Sequence, residues 1–351
     1  MEEGITAKVF PGGTLHVIKS GRTLFKECFG VRDYISLDKI SLDTVYDLAS
    51  LTKPCATTLA VMKLIDEKKI ELDKPISMYI EGLEDKKGNI LISQLLDHTS
   101  GLPAHREYFN DLLKIDLVKR KDKLRDFIID EKMIAKPGKT ILYSDLGFML
   151  LEFIVEKVSG VSLEHITSQI YKTMNIDSLF YTGMTPDKNR YKFAKTEDCS
   201  YRGLLEGLVH DDNCYAVGGI CGHAGLFGTI DGISALLKEI VFSYMNPGNT
   251  FFKRDLLNKF LNKQGTFNKP LGFDSPDGES PSSGRFFSKN SIGHLGFTGT
   301  SFWIDLERDI IVILLTNRVH PTRENIKIRK FRPLIHDTVM SVILGKTLIN
   351  R

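Results

Sequence analysis

Ser50 and Lys53 lie three positions apart in the segment LASLTKP (residues 48–54). Residues at i and i+3 share one face of a helix. An unprotonated Lys53 amine there could accept the proton of the Ser50 hydroxyl, which would make the pair a nucleophile with an adjacent base. An N-cap serine followed by a solvated lysine is the alternative interpretation of the same residues.

A helix that begins near Ser50 is predicted by the residues that follow it. Within residues 56–67, the apolar residues recur at helical spacing, at Leu59, Met62, Leu64 and Ile65. Pro54 would lie in or just past the first turn, where the missing N–H does least harm. Ser50 is therefore expected at a helix N-terminus, whose free N–H groups and dipole favour developing negative charge.

A second candidate for chemistry is Tyr143, which precedes a predicted helix over residues 146–158. A tyrosine at this place could relay a proton. The alternative is a tyrosine that packs on the core beside Ser144, an N-cap serine.

The third candidate is the segment GHLGFTGT (residues 293–300), on or beside a predicted strand. Its glycines would allow a ligand or a second backbone to approach closely. His294 can act as a cation or as a proton carrier near neutral pH. The alternative is an edge strand that glycine makes more flexible, with a histidine that is hydrogen-bonded inside the protein.

In order and separation, the three segments resemble Ser-x-x-Lys, Tyr-x-Asn and Lys-Thr-Gly or His-x-Gly. These are the motifs of the serine β-lactamase and penicillin-binding protein superfamily, particularly its class C β-lactamase-like branch of esterases, peptidases and amidases. The resemblance runs from about Gly12 to His320. Further similar stretches are QLLDHTSGLP (94–103), HDDN (210–213) and GHAGLF (222–227).

The resemblance implies covalent acyl transfer, in which Ser50 attacks a carbonyl and forms an acyl-enzyme that water later resolves. Lys53 or Tyr143 would be the base, a question that stays open at this point. The resemblance places the oxyanion between the backbone N–H groups of Ser50 and Phe297. It implies no cofactor and no metal.

The resemblance also implies a catalytic role for His294 and places Asp145 and Gly296 near the substrate. Asp145 stands where the family more often has asparagine, and its carboxylate would raise the pKa of Lys53, which favours Tyr143 as the base. His294 and Leu295 replace the lysine and threonine of the third motif. The fixed positive charge that would anchor a β-lactam carboxylate is therefore missing or pH-dependent, and we do not expect efficient β-lactam hydrolysis.

His98 suggests a different arrangement, a Ser-His-Asp triad with Ser50 and Asp97. We favour the interpretation that residues 94–103 form a structural loop after a helix, with His98 hydrogen-bonded inside the protein.

Strand-like segments lie at the two ends of the chain, and helical ones lie between them. Residues 15–18 and 23–29 predict one hairpin, and residues 301–304 and 310–315 predict another. The expected class is α+β with a β-lactamase/transpeptidase-like fold: an antiparallel sheet flanked by helices, plus an inserted all-helical domain. We expect residues 1–49 and 221–351 to form the sheet domain, residues 50–220 to form the helical domain, and the active site to lie between them.

Composition narrows the class of protein. The 351 residues carry 47 Lys and Arg against 44 Asp and Glu, a net charge of +3, with no basic run typical of nucleic-acid binding. Residues 1–20 do not resemble a leader, and the five cysteines are odd in number and scattered, so we expect reduced thiols and a cytoplasmic protein. A metal site formed by two cysteines and two histidines (Cys214, Cys221, His210, His223) is a minor alternative.

These observations predict a serine hydrolase that acts on a small amide or ester, with a small-molecule or peptide-like substrate and no nucleic-acid or membrane partner. A peptidase or amidase and a carboxylesterase are both open. A third possibility, of another class, is a penicillin-binding or sensing protein with little turnover. The oligomeric state is left open.

Overall fold

The computed structural model describes residues 1–83, 87–248, 250–278 and 281–346. Its strands are β1 (Gly12–Lys19), β2 (Arg22–Gly30), β3 (Thr44–Asp47), β4 (Leu179–Tyr181), β5 (Lys192–Phe193), β6 (Asp198–Cys199), β7 (Gly203–Leu204), β8 (Leu226–Gly228), β9 (Ile292–Leu295), β10 (Ser301–Asp305) and β11 (Ile310–Thr316). Its helices are α1 (Glu2–Thr6), α2 (Thr58–Asp66), α3 (Ile92–Leu96), α4 (Phe109–Leu112), α5 (Leu117–Asp130), α6 (Asp145–Ser159), α7 (Leu163–Thr173), α8 (Asp212–Ala216), α9 (Ile230–Met245), α10 (Arg254–Leu261) and α11 (Ile328–Leu344).

The main sheet is antiparallel and has five strands in the order β2-β1-β11-β10-β9. Both ends of the chain contribute to it, and both predicted hairpins are present. The β1–β2 turn is formed by Ser20 (φ 50°) and Gly21 (φ 73°), the left-handed conformation that two-residue hairpin turns require. The third motif therefore begins on β9, at the edge of the sheet.

Alternating side chains of this sheet face two hydrophobic cores. On one face, side chains such as Leu15, Trp303 and Leu314 pack with Phe10 and with Phe331 of α11. The opposite face packs against a larger core that continues into the central helices. β11 is apolar at nearly every position because it is buried on both faces.

The central region contains most of the helices, as the sequence predicts, with α2 and α6 packed in the larger core. It differs from the predicted all-helical insertion near its end. There β4 and β5 join β3 and β8 in a four-stranded sheet, and β6 pairs with β7. These strands have two or three residues, too short for an alternating pattern to be recognised in the sequence.

In the described part of the chain, no helix has the combination of length and apolar character needed to cross a bilayer.

Candidate active site

Ser50 lies in a tight turn directly after β3. The turn is a 3-10 segment (Ala49–Leu51), followed by a π-helical segment (Lys53–Thr57) that leads into α2. Ala49 has a φ of 47°, unusual for a residue with a side chain, and its N–H donates to Asp47 Oδ1 at 2.8 Å. The predicted helix start is present, and Ser50 occupies its first turn.

Lys53 is fully buried next to Ser50, and its amine donates hydrogen bonds to residues from separate segments. Its Nζ donates to Ser50 Oγ at 3.0 Å, to Asp145 Oδ1 at 2.8 Å and to the carbonyl oxygen of His223 at 3.3 Å. The alternative of a solvated lysine is therefore wrong.

The contact with Asp145 determines the charge of Lys53. Burial alone would lower the pKa of Lys53, but the Asp145 carboxylate and the Tyr143 phenol raise it above its usual range. Burial opposes ionisation of Asp145, yet Lys53 and His105 hold its pKa well below its usual range. At neutral pH the pair is therefore an ammonium and a carboxylate, as the sequence interpretation of Asp145 predicts.

Tyr143 lies over the same ammonium group. Lys53 Nζ is 4.7 Å from the centroid of the Tyr143 ring, and the His98 ring packs on Tyr143 at 4.5 Å between centroids. Desolvation raises the pKa of Tyr143 to about 12, against the opposing effect of Lys53. The phenol is therefore neutral at pH 7.

Asp145 begins α6, directly after the N-cap Ser144, whose Oγ accepts the N–H of Gly147 at 3.3 Å. A carboxylate in the first turn of a helix is favoured by the helix dipole. The second carboxylate oxygen of Asp145 lies 3.4 Å from His105 Nδ1. This histidine, on the loop after residues 94–103, is a site residue that sequence reasoning missed.

We expect Asp145→Asn to move the alkaline-rising limb of kcat/KM for ester hydrolysis to lower pH, by roughly 1 to 3 units. Removal of the carboxylate lowers the pKa of Lys53, so a proton is lost from the Lys53 and Tyr143 pair at a lower pH. Rates measured against pH check this, with Asp111→Asn at the protein surface as the control. A limb that stays in place would exclude Asp145 as the group that sets this pKa.

His294 lies on β9, buried, with its ring centroid 6.0 Å from that of Tyr143. Its Nδ1–H donates to the carbonyl oxygen of Leu295 at 2.9 Å, and Nε2 is buried with no hydrogen-bond partner among the described residues. Burial and the charge of Lys53 lower the pKa of His294, against Asp274. The imidazole is therefore neutral at pH 7, and it leaves an acceptor beside Tyr143 rather than a fixed cation.

We expect His294→Ala to lower kcat for ester hydrolysis about 100-fold, because a positioned proton acceptor beside Tyr143 is lost. Steady-state kinetics check this. His16→Ala is a matched control, since His16 is another buried histidine of the main sheet with a lowered pKa, of about 4. Equal activity in the wild type and in His294→Ala would remove His294 from the site.

The segment after β9 is held against the Ser50 turn. Thr298 Oγ1 donates to the carbonyl oxygen of Asp47 at 2.7 Å, and Thr300 Oγ1 donates to that of Leu48 at 3.1 Å. A Cβ on Gly296 would lie 2.7 Å from the Leu48 oxygen, so this close approach requires glycine. The Phe297 N–H takes part in no hydrogen bond among the described residues.

The triad alternative is not supported by the geometry. His98 Nδ1 accepts the N–H of Ser144 at 3.1 Å, and Asp97 bonds Thr99 rather than His98. Burial and the charge of Lys53 lower the pKa of His98 to about 3. His98 therefore orients Tyr143 and the start of α6 from inside the loop.

The candidate metal ligands of the sequence, two histidines and two cysteines, are engaged in other interactions. His223 Nε2 lies 2.9 Å from Asp211, and His210 Nε2 lies 3.1 Å from Glu197. Cys214 donates to a backbone oxygen, and all five cysteines are free. In the ranges that the structure describes, no group of acidic, histidine and cysteine side chains could hold a metal ion.

Both the arrangement of strands and the Ser-Lys-Tyr cluster define a serine hydrolase of the penicillin-binding protein fold. Among solved structures, the fold is similar to that of the octameric penicillin-binding protein homologue from Pyrococcus abyssi. It superposes with a TM-score of 0.75 at 22% identity, covering 99% of this chain and 76% of that one.

Sequence comparison identifies the family. The Beta-lactamase family profile matches residues 1–336, and the chain belongs to this family. It is 29% identical to the N-acetylmuramyl-L-alanine amidase of Bacillus subtilis (strain 168), over 91% of this chain and 80% of the relative. It is 28% identical to a putative D-alanyl-D-alanine carboxypeptidase of Escherichia coli O157:H7, over 89% of this chain and 79% of the relative.

Proposed function

We propose that this serine hydrolase uses Ser50 as its nucleophile and cleaves small peptide-like amides through an acyl-enzyme. The observation that carries the proposal is the 3.0 Å hydrogen bond between Ser50 Oγ and a buried Lys53 at the start of a helix. A hydroxyl held by an adjacent basic group in a helix's first turn is the arrangement that nucleophilic acyl transfer needs.

In the first step, Ser50 Oγ forms a bond to the carbonyl carbon of the substrate, and the electron pair of the carbonyl double bond moves to its oxygen. The serine proton passes to Tyr143, which accepts it as a tyrosinate in the form of the Lys53 and Tyr143 pair that has lost one proton. Collapse of the tetrahedral intermediate breaks the bond to the leaving amine, which takes that proton. Water then attacks the ester and releases Ser50 by the same sequence.

We assign the transfer of the proton to Tyr143 and electrostatic support to Lys53. Lys53 is paired with Asp145 at 2.8 Å, which favours its ammonium form. That ammonium in turn stabilises a tyrosinate when the pair loses one proton. The neutral His294 then offers an acceptor on the other side of Tyr143.

The oxyanion is proposed to lie between the backbone N–H groups of Ser50 and Phe297. Support comes from the two threonine hydrogen bonds that hold the Phe297 loop on the Ser50 turn, and from a Phe297 N–H that has no partner in the described part of the chain. Preorganised donors of this kind stabilise the charge that develops in the transition state.

A peptide-like amide is the substrate class that we favour. The names of the two relatives are those of an amidase and a carboxypeptidase. The neutral His294 offers no fixed cation for a β-lactam carboxylate. A carboxylesterase, or a penicillin-binding or sensing protein with little turnover, are the alternatives that an assay must separate.

We also propose the division into a sheet domain (1–49 and 221–351) and a helical domain (50–220), with the site at their junction. Ser50 and Tyr143 would come from the helical part and His294 from the sheet part. A cytoplasmic location is proposed from the five free cysteines.

The test combines labelling with a substrate panel. Purified protein is treated with a fluorophosphonate, and intact mass and peptide mapping are expected to show one adduct, on Ser50. The panel holds a muramyl-L-alanine amide, a D-alanyl-D-alanine peptide, nitrophenyl esters and a chromogenic cephalosporin. Fastest turnover of an amide supports the proposal, and turnover of esters alone favours the carboxylesterase. An absence of both labelling and turnover would contradict a hydrolase that uses Ser50.

A further inference from the structure

We infer that Arg332 is a positioning residue that polarises the peptide bond between Gly296 and Phe297 and so strengthens the Phe297 N–H as a donor to the oxyanion. The inference rests on the proposed function, because it concerns the same oxyanion site. It adds a residue that lies outside the three motifs, on the C-terminal helix α11.

Arg332 contacts the loop from helix α11. Its side chain is buried, with 7% of the residue exposed. One terminal nitrogen of its guanidinium donates to the carbonyl oxygen of Gly296 at 2.6 Å and to that of Thr300 at 2.8 Å. The arginine therefore binds both ends of the loop that carries Phe297.

The Gly296 carbonyl and the Phe297 N–H belong to one amide group. A cation that binds the carbonyl oxygen draws electrons from the amide and makes its N–H more acidic. Hydrogen bonds in such a chain strengthen one another. Since the Phe297 N–H has no partner among the described residues, the strengthened donor remains available to a substrate.

No acid among the described residues neutralises the charge on Arg332. Its hydrogen bonds go to backbone carbonyls, and the charged group that acts on it, Arg318, is a second cation. Its Nε is buried without a partner among the described residues. Burial of a guanidinium without an acidic partner costs free energy unless another interaction compensates. A positive charge next to the oxyanion site would stabilise the oxyanion and so serve catalysis.

Arg318 provides a natural comparison, because it also donates a hydrogen bond to this loop. Its Nε donates to the carbonyl oxygen of Phe297 at 2.7 Å, which belongs to the following amide, not to the one that carries the Phe297 N–H. Both arginines would hold the loop in place. Of the two arginines, it is Arg332 that donates to the carbonyl of the donor amide, which also accepts the N–H of Gly299 at 3.1 Å.

A simple structural role for Arg332 predicts something different. Hydrogen bonds from Thr298 and Thr300 already hold the loop against the Ser50 turn. If the hydrogen bonds of Arg332 only held the loop in place, the loss of Arg332 would lower the stability of the fold and the activity together. The loss of Arg318 would do the same. Polarisation predicts instead a fall in kcat with little change in KM, because the neutral ground-state carbonyl gains less from the field than the oxyanion.

The experiment compares Arg332→Gln, Arg332→Lys and Arg318→Gln in the full chain. The readouts are kcat and KM for a nitrophenyl ester, inhibition by phenylboronic acid, which forms a tetrahedral anion on a serine, and thermal unfolding. We expect Arg332→Gln to lower kcat roughly 10- to 100-fold, part of the 100- to 1000-fold that a whole oxyanion donor contributes. Affinity for the boronic acid should fall in parallel, Arg332→Lys should recover much of kcat, and Arg318→Gln should lose less.

Wild-type kcat in a folded Arg332→Gln would overturn the inference, as would losses in all three variants that simply follow their unfolding temperatures. If Arg332→Gln does not fold, Arg332→Lys decides: retained kcat supports a role of the charge, and a folded but inactive Arg332→Lys contradicts it. Failure of the proposed function looks different, since the wild type itself would then neither hydrolyse the ester nor take a Ser50 adduct, and the inference would fall with it.

Discussion

Ser50→Ala is expected to lower the hydrolysis of every substrate that the wild type turns over by on the order of 10⁴- to 10⁶-fold, the range typical of losing a serine nucleophile. The hydroxyl lies 3.0 Å from Lys53 Nζ in the first turn of the helix, and nothing else in the described cluster can replace it as an attacking oxygen positioned by a lysine. Its fluorophosphonate adduct should disappear as well.

The fold should tolerate this change. Ser50 is partly exposed, and its side chain accepts a hydrogen bond from Lys53, so a loss of about 1 kcal/mol in the free energy of unfolding is expected. Ser159→Ala, at the end of α6, is the control for a serine outside the site. A Ser50→Ala protein that keeps measurable labelling or wild-type turnover would show that another residue is the nucleophile.

Lys53→Met is expected to have the second largest effect, a loss of about 1000-fold or more in kcat/KM. It removes both the group bonded to Ser50 and the cation that stabilises a Tyr143 tyrosinate. It also leaves Asp145 without its ammonium partner, and breaking a buried ion pair in this way destabilises a protein by about 3 to 5 kcal/mol. Urea unfolding and ester kinetics measure the two effects separately.

The double variant Lys53→Met/Asp145→Asn separates chemistry from folding. Replacing both members of a buried pair is often close to neutral for stability, so much of the lost free energy of unfolding should return. Activity should not return, because the ammonium that stabilises the Tyr143 tyrosinate is still missing. Recovery of activity together with stability would mean that Lys53 matters only for the fold.

Local order in this protein could be predicted from the sequence because it depends on near neighbours. The helix after Ser50, the hairpin at Ser20 and Gly21 and the helix after Ser144 follow from apolar spacing, turn residues and capping. The short strands β4 to β7 could not be predicted, since pairing with β3, β8 or each other, rather than an alternating pattern, makes them strands.

The order of the three motifs in the sequence also predicts a serine hydrolase with Ser50, Lys53, Tyr143 and His294 in its site. The structure brings these four residues into one cluster. The sequence predicted that Asp145 would favour a charged Lys53 but left the charge of His294 open, since burial decides that. His105 and Arg332 had no signal in the sequence, because a loop histidine and a helical arginine are ordinary surface residues until folding buries or pairs them.

What the sequence determined by itself is therefore the set of reactive residue types, their order and the helix start that places Ser50 and Lys53 on one turn. What only the tertiary structure decided is the burial of these residues and the distances between their charges, which set their protonation. Asp145 is 92 residues from Lys53, yet it lies 2.8 Å away and holds the ammonium, while burial keeps His294 neutral. Charge states depend on desolvation and on Coulomb interactions across the fold, and these distances exist only once the chain has packed.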